Sequence, residues 1–397
     1  MDAEQRLAEL ALGLGANLQP GQDLYVAAEV GHLNTVRVLA ERAYRAGARY
    51  VDIRLFDPLV QRSRLAHVPD LALGHVPSWE LERRRRMGEG GAASIKLTGP
   101  TAPHALDQIE PARVARASVP SMLGGLELEA LVNYTIVPCP TAGWAAALRP
   151  ELAANDGLAA LWRDIAYVCR LDEPDPAAAW HARLGELADR AQRLTSLRLD
   201  SVRFQDPGTD LRVGLLPGAL WVGPGQMVTA SGIAHVDNLP TEEVFTVPDP
   251  VRAQGHVRLT RPALIGGRLI DDVELELAGG EVVRLSAGDG VPALEQFVAS
   301  DPGACRLGEL ALVSSEGRVG SLDRTFGVTL LDENAASHIA LGFGFPECVE
   351  PDDRAAVNDS VHHLDVMIGS GEIEVTGTDR SGRDHPLLRA GDWALSD

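Results

Sequence analysis

The pattern of apolar residues changes once along this chain of 397 residues, near residue 197, and the change limits the folds open to it. In the first half, segments with helical periodicity alternate with segments of extended periodicity. We predict helices over 4–13 and Thr35–Ala46, and strands over Leu24–Val30 and Tyr50–Leu55. Such alternation is typical of an α/β domain, in which crossover helices cover a mostly parallel sheet.

The second half has a different pattern. After two further predicted helices near 151–169 and 177–195, the chain consists of short apolar runs broken by Gly, Pro and Asp, which indicates strands. A chain of this length also exceeds what one ordinary hydrophobic core supports. We therefore predict an N-terminal α/β domain over 1–197 and a strand-rich α+β domain over 198–397.

Six acidic and imidazole side chains stand within or beside apolar runs of the second half. They are Glu242, Glu243, Glu309, His338, His363 and Asp365. A carboxylate buried among leucines and valines costs free energy unless a cation or hydrogen-bond donors compensate it. Carboxylates together with neutral imidazoles are the donors that a pair of divalent metal ions requires. The set therefore indicates a metallohydrolase, although each member taken alone is equally compatible with a structural role.

His363 and Asp365 are separated by one residue. Alternate side chains of an extended strand project from the same side, so both are expected to face one site. The sequence contains neither the G-x-S-x-G motif of serine hydrolases nor the H-E-x-x-H motif of zinc endopeptidases. These absences agree with hydrolysis by a metal-activated water, which requires no covalent intermediate.

Four segments that carry these residues resemble the metal-binding segments of the thermophilic-type metalloaminopeptidases, the group of aminopeptidases T and S. They read NLPTEEVFT, GELALV, NAASHIALG and NDSVHHLDVMIG, in this order, and the likeness extends along nearly the whole chain. The resemblance implies a C-terminal metal-binding catalytic domain with two divalent ions, such as zinc, cobalt or manganese. It also implies hydrolysis of the amide bond beside a free N-terminus, and a homodimer.

Carried over by motif, the resemblance implies five metal ligands and one further catalytic group. The ligands are Glu243, Glu309, His338, His363 and Asp365, and Glu242 is the candidate general base. The sequence leaves open which of the two adjacent glutamates binds metal.

One position departs from the family pattern. The family has a tyrosine seven residues after its first metal histidine, whereas this chain has Phe345 at that distance from His338 and no tyrosine after Tyr167. A phenol near the metals can bind one of them or donate to the oxyanion, and loss of one such donor typically lowers turnover roughly 100- to 1000-fold. Two interpretations are open: another donor replaces the phenol, or the activity is weakened or redirected.

Two other functions remain alternatives at the level of sequence. Ring-cleaving dioxygenases that resemble this family use one ferrous ion, and His338, His363 and Asp365 would supply its two histidines and one carboxylate. That assignment leaves the three glutamates of the set without a role. The departure at Phe345 favours instead a specialised amide hydrolase or a non-peptidase in a biosynthetic pathway.

The charge balance excludes some partners. With 36 basic and 56 acidic side chains the net charge is −20. Proteins that bind nucleic acids or anionic membranes rely instead on clustered Lys and Arg. No segment approaches the roughly 20 apolar residues that cross a bilayer, and the N-terminus carries acids where a signal peptide carries bases. We predict a cytoplasmic protein that binds a peptide or small amide, and neither nucleic acid nor membrane.

Overall fold

A computed structural model describes residues 2–117, 131–225 and 227–395. The chain forms two compact units. The first comprises Met1–Arg183 and Pro224–Thr241, and the second comprises Leu184–Gly223 and Glu242–Asp397. None of the helices within the described ranges is long and apolar enough to cross a membrane.

The α-helices are numbered along the chain. They are α1 Ala3–Leu10, α2 Leu33–Arg45, α3 Pro58–His67, α4 Ser78–Glu89, α5 Ala142–Leu148, α6 Ala154–Val168, α7 Pro176–Ser196, α8 Val291–Val298 and α9 Thr329–Asp332; residues 111–117 are also helical. The strands are β1 Asp23–Glu29, β2 Tyr50–Phe56, β3 Ala93–Thr98, β4 Asn133–Pro138, β5 Leu199–Asp206, β6 Thr209–Leu215, β7 Met227–Val228, β8 Ala234–His235, β9 Glu243–Thr246, β10 Pro248–Arg258, β11 Ala263–Ile265, β12 Arg268–Ile270, β13 Glu274–Ala278, β14 Glu281–Ser286, β15 Leu307–Val313, β16 His338–Gly342, β17 His363–Met367, β18 Glu374–Asp379, β19 Asp384–Arg389 and β20 Asp392–Trp393.

The first unit is built on a parallel sheet with the strand order β2-β1-β3-β4. β1 pairs in parallel with β2 and β3, and β3 pairs in parallel with β4. Leu24, Val26 and Ile95 of the central strands are fully buried, as expected for a parallel sheet that is covered on both faces. The predicted α/β architecture with a mostly parallel sheet is confirmed.

The second unit is rich in antiparallel strands. An eight-stranded sheet has the order β14-β13-β10-β6-β5-β18-β19-β20, and a four-stranded sheet has the order β17-β16-β15-β9. Phe204 and Val213 of the large sheet belong to the same buried apolar cluster as Leu310 and Ile339 of the small sheet. The two sheets therefore share one hydrophobic core, and the predicted strand-rich second half is confirmed.

Residues 224–241 belong to the first unit, whereas the sequence-based division into 1–197 and 198–397 places them in the second. The reason is a backbone pairing beside β4: Ile136 donates its N–H to the carbonyl of Asp237 at 2.7 Å and accepts from the N–H of Leu239 at 3.0 Å. Local periodicity in the sequence does not reveal that residues near 237–239 pair with a strand about 100 positions earlier. Whether residue 197 separates two independently folding domains stays a prediction.

Candidate metal centre

The strand register of the four-stranded sheet brings the predicted ligands to one face. Ala340 of β16 lies opposite Glu309 of β15 on one side and Asp365 of β17 on the other. His338 lies opposite Ala311, and Glu243 of the edge strand β9 lies opposite Val313, which shares a strand face with Glu309. Side chains alternate between the two faces of a strand, and paired residues share a face. The five candidates, Glu243, Glu309, His338, His363 and Asp365, therefore project from the same side of the sheet.

The opposite face of the same strands is apolar. It contributes to the core the side chains of Val244, Leu310, Leu312, Ile339, Leu341, Leu364 and Val366. On the polar face the positions between the ligands are small, since Ala311 and Ala340 separate charged neighbours. The polar and apolar residues thus alternate along all four strands, and the small residues leave space above the sheet.

The first group of donors consists of Glu243, Glu309 and His338. His338 Nε2 lies 3.3 Å from Glu243 Oε2 and 3.9 Å from Glu309 Oε1. All three residues are buried, with 9%, 5% and 1% of their surface exposed. Their donor atoms lie within 4.8 Å of one another, which is compact enough to hold one cation.

The second group consists of Glu309, His363 and Asp365. His363 Nε2 lies 3.2 Å from Glu309 Oε2 and 3.0 Å from Asp365 Oδ1. Burial alone would lower the pKa of His363, but the charges and hydrogen bonds of Asp365 and Glu309 outweigh it and raise this pKa well above 6.5. The carboxylates therefore create a position that stabilises positive charge.

Glu309 belongs to both groups. Its Oε1 faces His338 and its Oε2 faces His363, so one carboxylate offers a different oxygen to each group. Three carboxylates and two imidazoles in total meet on a surface where Glu243, Glu309 and His338 are buried and His363 and Asp365 are half-buried. The high cost of burying this charge falls when cations neutralise it.

Both imidazole rings are oriented by backbone carbonyls. His338 Nδ1 lies 3.2 Å from the carbonyl oxygen of Ala336, and His363 Nδ1 lies 2.9 Å from that of Phe343. A ring that donates its Nδ1–H to a carbonyl presents the lone pair of Nε2 to the site. These carbonyls therefore favour a proton on Nδ1 of each ring and leave Nε2 directed toward the site.

Two buried asparagines hold the backbone beside the donor groups. The Oδ1 of Asn334 accepts the N–H of Glu242 at 2.6 Å, immediately before Glu243. Asn358 donates from Nδ2 to the backbone carbonyls of Gly342 at 2.6 Å and Gly303 at 2.9 Å. The backbone carbonyl of Asn358 accepts the N–H of Gly344. The spacing of acidic and imidazole residues in the sequence does not indicate either asparagine. Each has apolar neighbours on one side only, Ala335 and Ala336 in ENAAS and Val357 in AVNDSV, and this is a weak signal of burial.

Glu242 is fully buried, but it does not belong to either donor group. Its Oε2 lies beside Gly317, where a Cβ atom would come within 3.5 Å of it. The structure therefore assigns Glu243 rather than Glu242 to the face that carries the other four candidates.

Phe345 packs against the second donor group. Its ring lies 5.4 Å, centroid to centroid, from the ring of His363 in an edge-to-face arrangement, and it also contacts Phe245 and Phe343. Phe345 is therefore adjacent to a candidate ligand. A phenyl ring there retains the packing and lacks the hydroxyl group.

Comparison with known protein families agrees with this geometry. The family described as thermophilic metalloprotease (M29) matches residues 2–393. Aminopeptidase T of Thermus aquaticus is 39% identical over 403 residues, with 98% of each chain covered. Aminopeptidase 2 of Geobacillus stearothermophilus is 34% identical, with 98% of this chain and 97% of the relative covered.

Comparison with solved structures leads to the same group. Wild-type AmpT from Thermus thermophilus superimposes with a TM-score of 0.91 at 37% sequence identity and covers 99% of both chains. The relatives from Thermus aquaticus and Geobacillus stearothermophilus are named as aminopeptidases, and these comparisons give no support to a ring-cleaving dioxygenase or to a non-peptidase.

Proposed function

The chain belongs to the thermophilic metalloprotease family, M29, and is a metal-dependent aminopeptidase. We propose that it uses two divalent cations to remove N-terminal residues from peptides. The observation that carries the proposal is Glu309, whose two oxygens face two separate groups of donors. A single cation would leave one group of buried carboxylates and imidazole uncompensated.

The donor chemistry fits such cations. Each group combines two carboxylates with one imidazole, a set that suits zinc, cobalt or manganese. Glu243 and His338 would hold one ion, His363 and Asp365 the other, and Glu309 would bridge them. A dioxygenase site would require both histidines at one iron, whereas here each histidine belongs to a different group.

The division of labour follows from the position of each residue. When bound, the cations would polarise the scissile carbonyl and lower the pKa of a water molecule. The carbonyls of Ala336 and Phe343 keep the imidazole Nε2 atoms directed at the site. Glu242, buried next to Glu243, is the candidate carrier of the proton that passes to the leaving amine.

We propose that Phe345 lowers turnover relative to a tyrosine at the same position. Its ring already contacts His363, so a hydroxyl group on it would lie close to the second donor group. Without this donor, the developing oxyanion depends on the cations and on other groups.

The assembly and location of the protein belong to the same proposal. Resemblance to the family favours a homodimer and a cytoplasmic protein. The acidic surface that follows from a net charge of −20 favours peptide substrates with positive charge over nucleic acid.

The proposal is tested with a tripeptide and its N-acetylated form. We expect release of the first residue from the free peptide alone, because an aminopeptidase requires a free N-terminus. Glu309→Gln should lower kcat/KM at least roughly 1000-fold, since it weakens both donor groups. The matched control is Glu276→Gln on the exposed face of strand β13, which should stay within roughly twofold of wild type. Equal turnover of Glu309→Gln and wild type would refute the proposal.

A further inference from the structure

Strand β15 contains one residue more than its partner β16 over the same length of the ladder. The segment 339–341 of β16 pairs with the segment 307–310 of β15, so three residues lie opposite four. The residue without a register partner is Gly308, and β15 therefore has a β-bulge at this glycine. The bulge immediately precedes Glu309, the carboxylate that both donor groups share.

The bulge determines which face of the sheet Glu309 occupies. Leu307 pairs with Leu341 and lies in the apolar core. In a regular strand, residues two positions apart project from the same face, so Glu309 would enter the core together with Leu307. Because of the extra residue, Glu309 instead lies opposite Ala340, on the face of the other candidate ligands. The bulge thus separates the apolar start of β15 from the part that carries donors.

The bulge also requires a glycine, because the chain that follows β16 passes directly over it. A Cβ atom on Gly308 would lie 2.2 Å from the carbonyl oxygen of Gly342 and 2.2 Å from that of Phe343, far inside van der Waals contact. The cause is space and not the dihedral angle, since φ of Gly308 lies outside the left-handed region. Backbone oxygens cannot rotate away as the end of a flexible side chain can. Any larger residue would therefore displace this part of the chain.

One of these two carbonyls orients a candidate ligand. The oxygen of Phe343 lies 2.9 Å from Nδ1 of His363. The oxygen of Gly342 accepts a hydrogen bond from Nδ2 of Asn358 at 2.6 Å. A side chain at the bulge would move both carbonyls, and the ring of His363 with them. Gly308 is thus linked to two of the three donors of the second group, one as its chain neighbour and one through a carbonyl.

We propose that Gly308 is a positioning residue for the cation of the second donor group. This inference rests on the proposed two-cation function. The bulge directs the oxygens of Glu309 toward both imidazoles, and the absence of a side chain lets the carbonyl of Phe343 lie against His363. Groups that orient metal ligands typically contribute roughly 10- to 100-fold to metal affinity. Gly308 therefore acts on the affinity for the cation, without contact to the substrate.

The test compares the zinc affinity of wild type and Gly308→Ala, measured on the purified protein by competition with a chelator for the most weakly bound ion. We expect Gly308→Ala to weaken this affinity roughly 10- to 100-fold. Gly143→Ala is the matched control, because a Cβ atom on Gly143 in the first unit would lie 1.9 Å from the carbonyl oxygen of Thr101. It should lower Tm at least as much and keep the wild-type zinc affinity. Unchanged affinity in folded Gly308→Ala, or an equal loss in both variants, overturns the inference.

A milder variant decides if Gly308→Ala does not fold. A Cβ atom on Gly344 would press on the bulge from outside, 2.9 Å from the carbonyl oxygen of Gly308 and 2.7 Å from Cγ1 of Val357. Gly344→Ala should weaken zinc binding in the same direction, by roughly two- to tenfold. Its control is Gly377→Ala in the large sheet, where a Cβ atom would lie 2.7 Å from Cδ1 of Leu199 and zinc affinity should stay at the wild-type value. In that case, unchanged zinc affinity in Gly344→Ala overturns the inference.

Zinc affinity separates this inference from the proposed function. If wild type binds zinc but releases no residue from a tripeptide, the proposed function fails, while a loss of affinity in Gly308→Ala still supports the positioning role. If wild type cleaves the tripeptide and Gly308→Ala keeps its zinc affinity, the inference fails alone.

Discussion

The two units each contain a four-stranded sheet, and the sheets place their polar residues differently. The parallel sheet of the first unit buries apolar side chains along its central strands. The antiparallel sheet of the second unit buries apolar side chains on one face only and gathers five candidate ligands on the other. The position of a site therefore depends on which face the side chains occupy, and the class of sheet alone does not indicate it.

In the first unit, protein atoms fill the position at which open α/β sheets usually bind ligands. The crevice at the carboxyl ends of neighbouring strands such as β1 and β3 is the common site in this fold class. Here the two loops close on each other: Glu29 Oε2 accepts the N–H of Thr101 at 2.6 Å, and Gly31 donates its N–H to Thr101 Oγ1 at 3.2 Å. A Cβ atom on Gly31 would lie only 2.6 Å from that hydroxyl. Protein atoms therefore occupy the usual ligand position.

Buried polar groups in the first unit should affect stability and not turnover, and His32 gives the largest effect. Burial lowers the pKa of His32 from 6.5 to about 4. The neutral ring is favoured in the folded state, so its contribution to the free energy of unfolding is complete above pH 6.5 and is lost as the pH falls through 4. The loss amounts to about 3 kcal/mol. We expect His32→Gln to flatten the decline in unfolding free energy between pH 6.5 and 4, measured by urea unfolding.

Exposed His181 provides the control for this experiment. His181→Gln should keep the pH dependence of wild type, and both variants should hydrolyse peptides at the wild-type rate at pH 7. An unchanged pH dependence in His32→Gln would show that this buried imidazole does not control acid stability.

In the second unit, an isosteric change at Asn358 should weaken metal binding. Asp in its place loses both N–H donors that hold the carbonyls of Gly342 and Gly303, next to the carbonyl of Phe343 that orients His363. We expect Asn358→Asp to weaken the affinity for one of two ions roughly 10- to 100-fold, measured by competition with a chelator.

The same substitution in the first unit is the matched control. Asn133 is buried there and donates from Nδ2 to the carbonyl of Ala16 at 2.5 Å. Asn133→Asp should lower stability to a similar extent, about 1–3 kcal/mol, and leave metal affinity unchanged. Equal loss of metal affinity in both variants would mean that Asn358 acts through general stability.

The smallest effect is expected from Phe345→Tyr. The added hydroxyl group would extend from a ring that already contacts His363. We expect kcat to rise by roughly tenfold or less, below the roughly 100- to 1000-fold effect of a preorganised donor, because no neighbouring group that the structure describes is arranged to orient the new hydroxyl. Phe297→Tyr is the control, since that ring packs on His362 instead. If kcat does not rise in Phe345→Tyr, another group already fills the role of the phenol.

Much of the fold followed from periodicity. The predicted helix Thr35–Ala46 corresponds to α2, Leu33–Arg45, and the predicted strand Tyr50–Leu55 corresponds to β2, Tyr50–Phe56. The first predicted helix is in fact α1 followed by a π-helical turn over Ala11–Gly15. Helical spacing does not distinguish these two hydrogen-bond patterns.

The geometry of the site could be predicted only in part. The spacing of His363 and Asp365 correctly indicated one shared face. The adjacent Glu242 and Glu243 could not be separated, because the pairing of Glu243 with Val313 joins strands about 70 positions apart. The contributions of Asn334 and Asn358 also depend on backbone groups that lie far away in the sequence.

The most direct test of the two-cation account is the metal content of the protein, measured by elemental analysis after purification without chelators. We expect two divalent ions per chain in wild type and fewer than one in Glu309→Gln, because both donor groups share this carboxylate. One ion per chain in wild type, or two ions retained in Glu309→Gln, would contradict it.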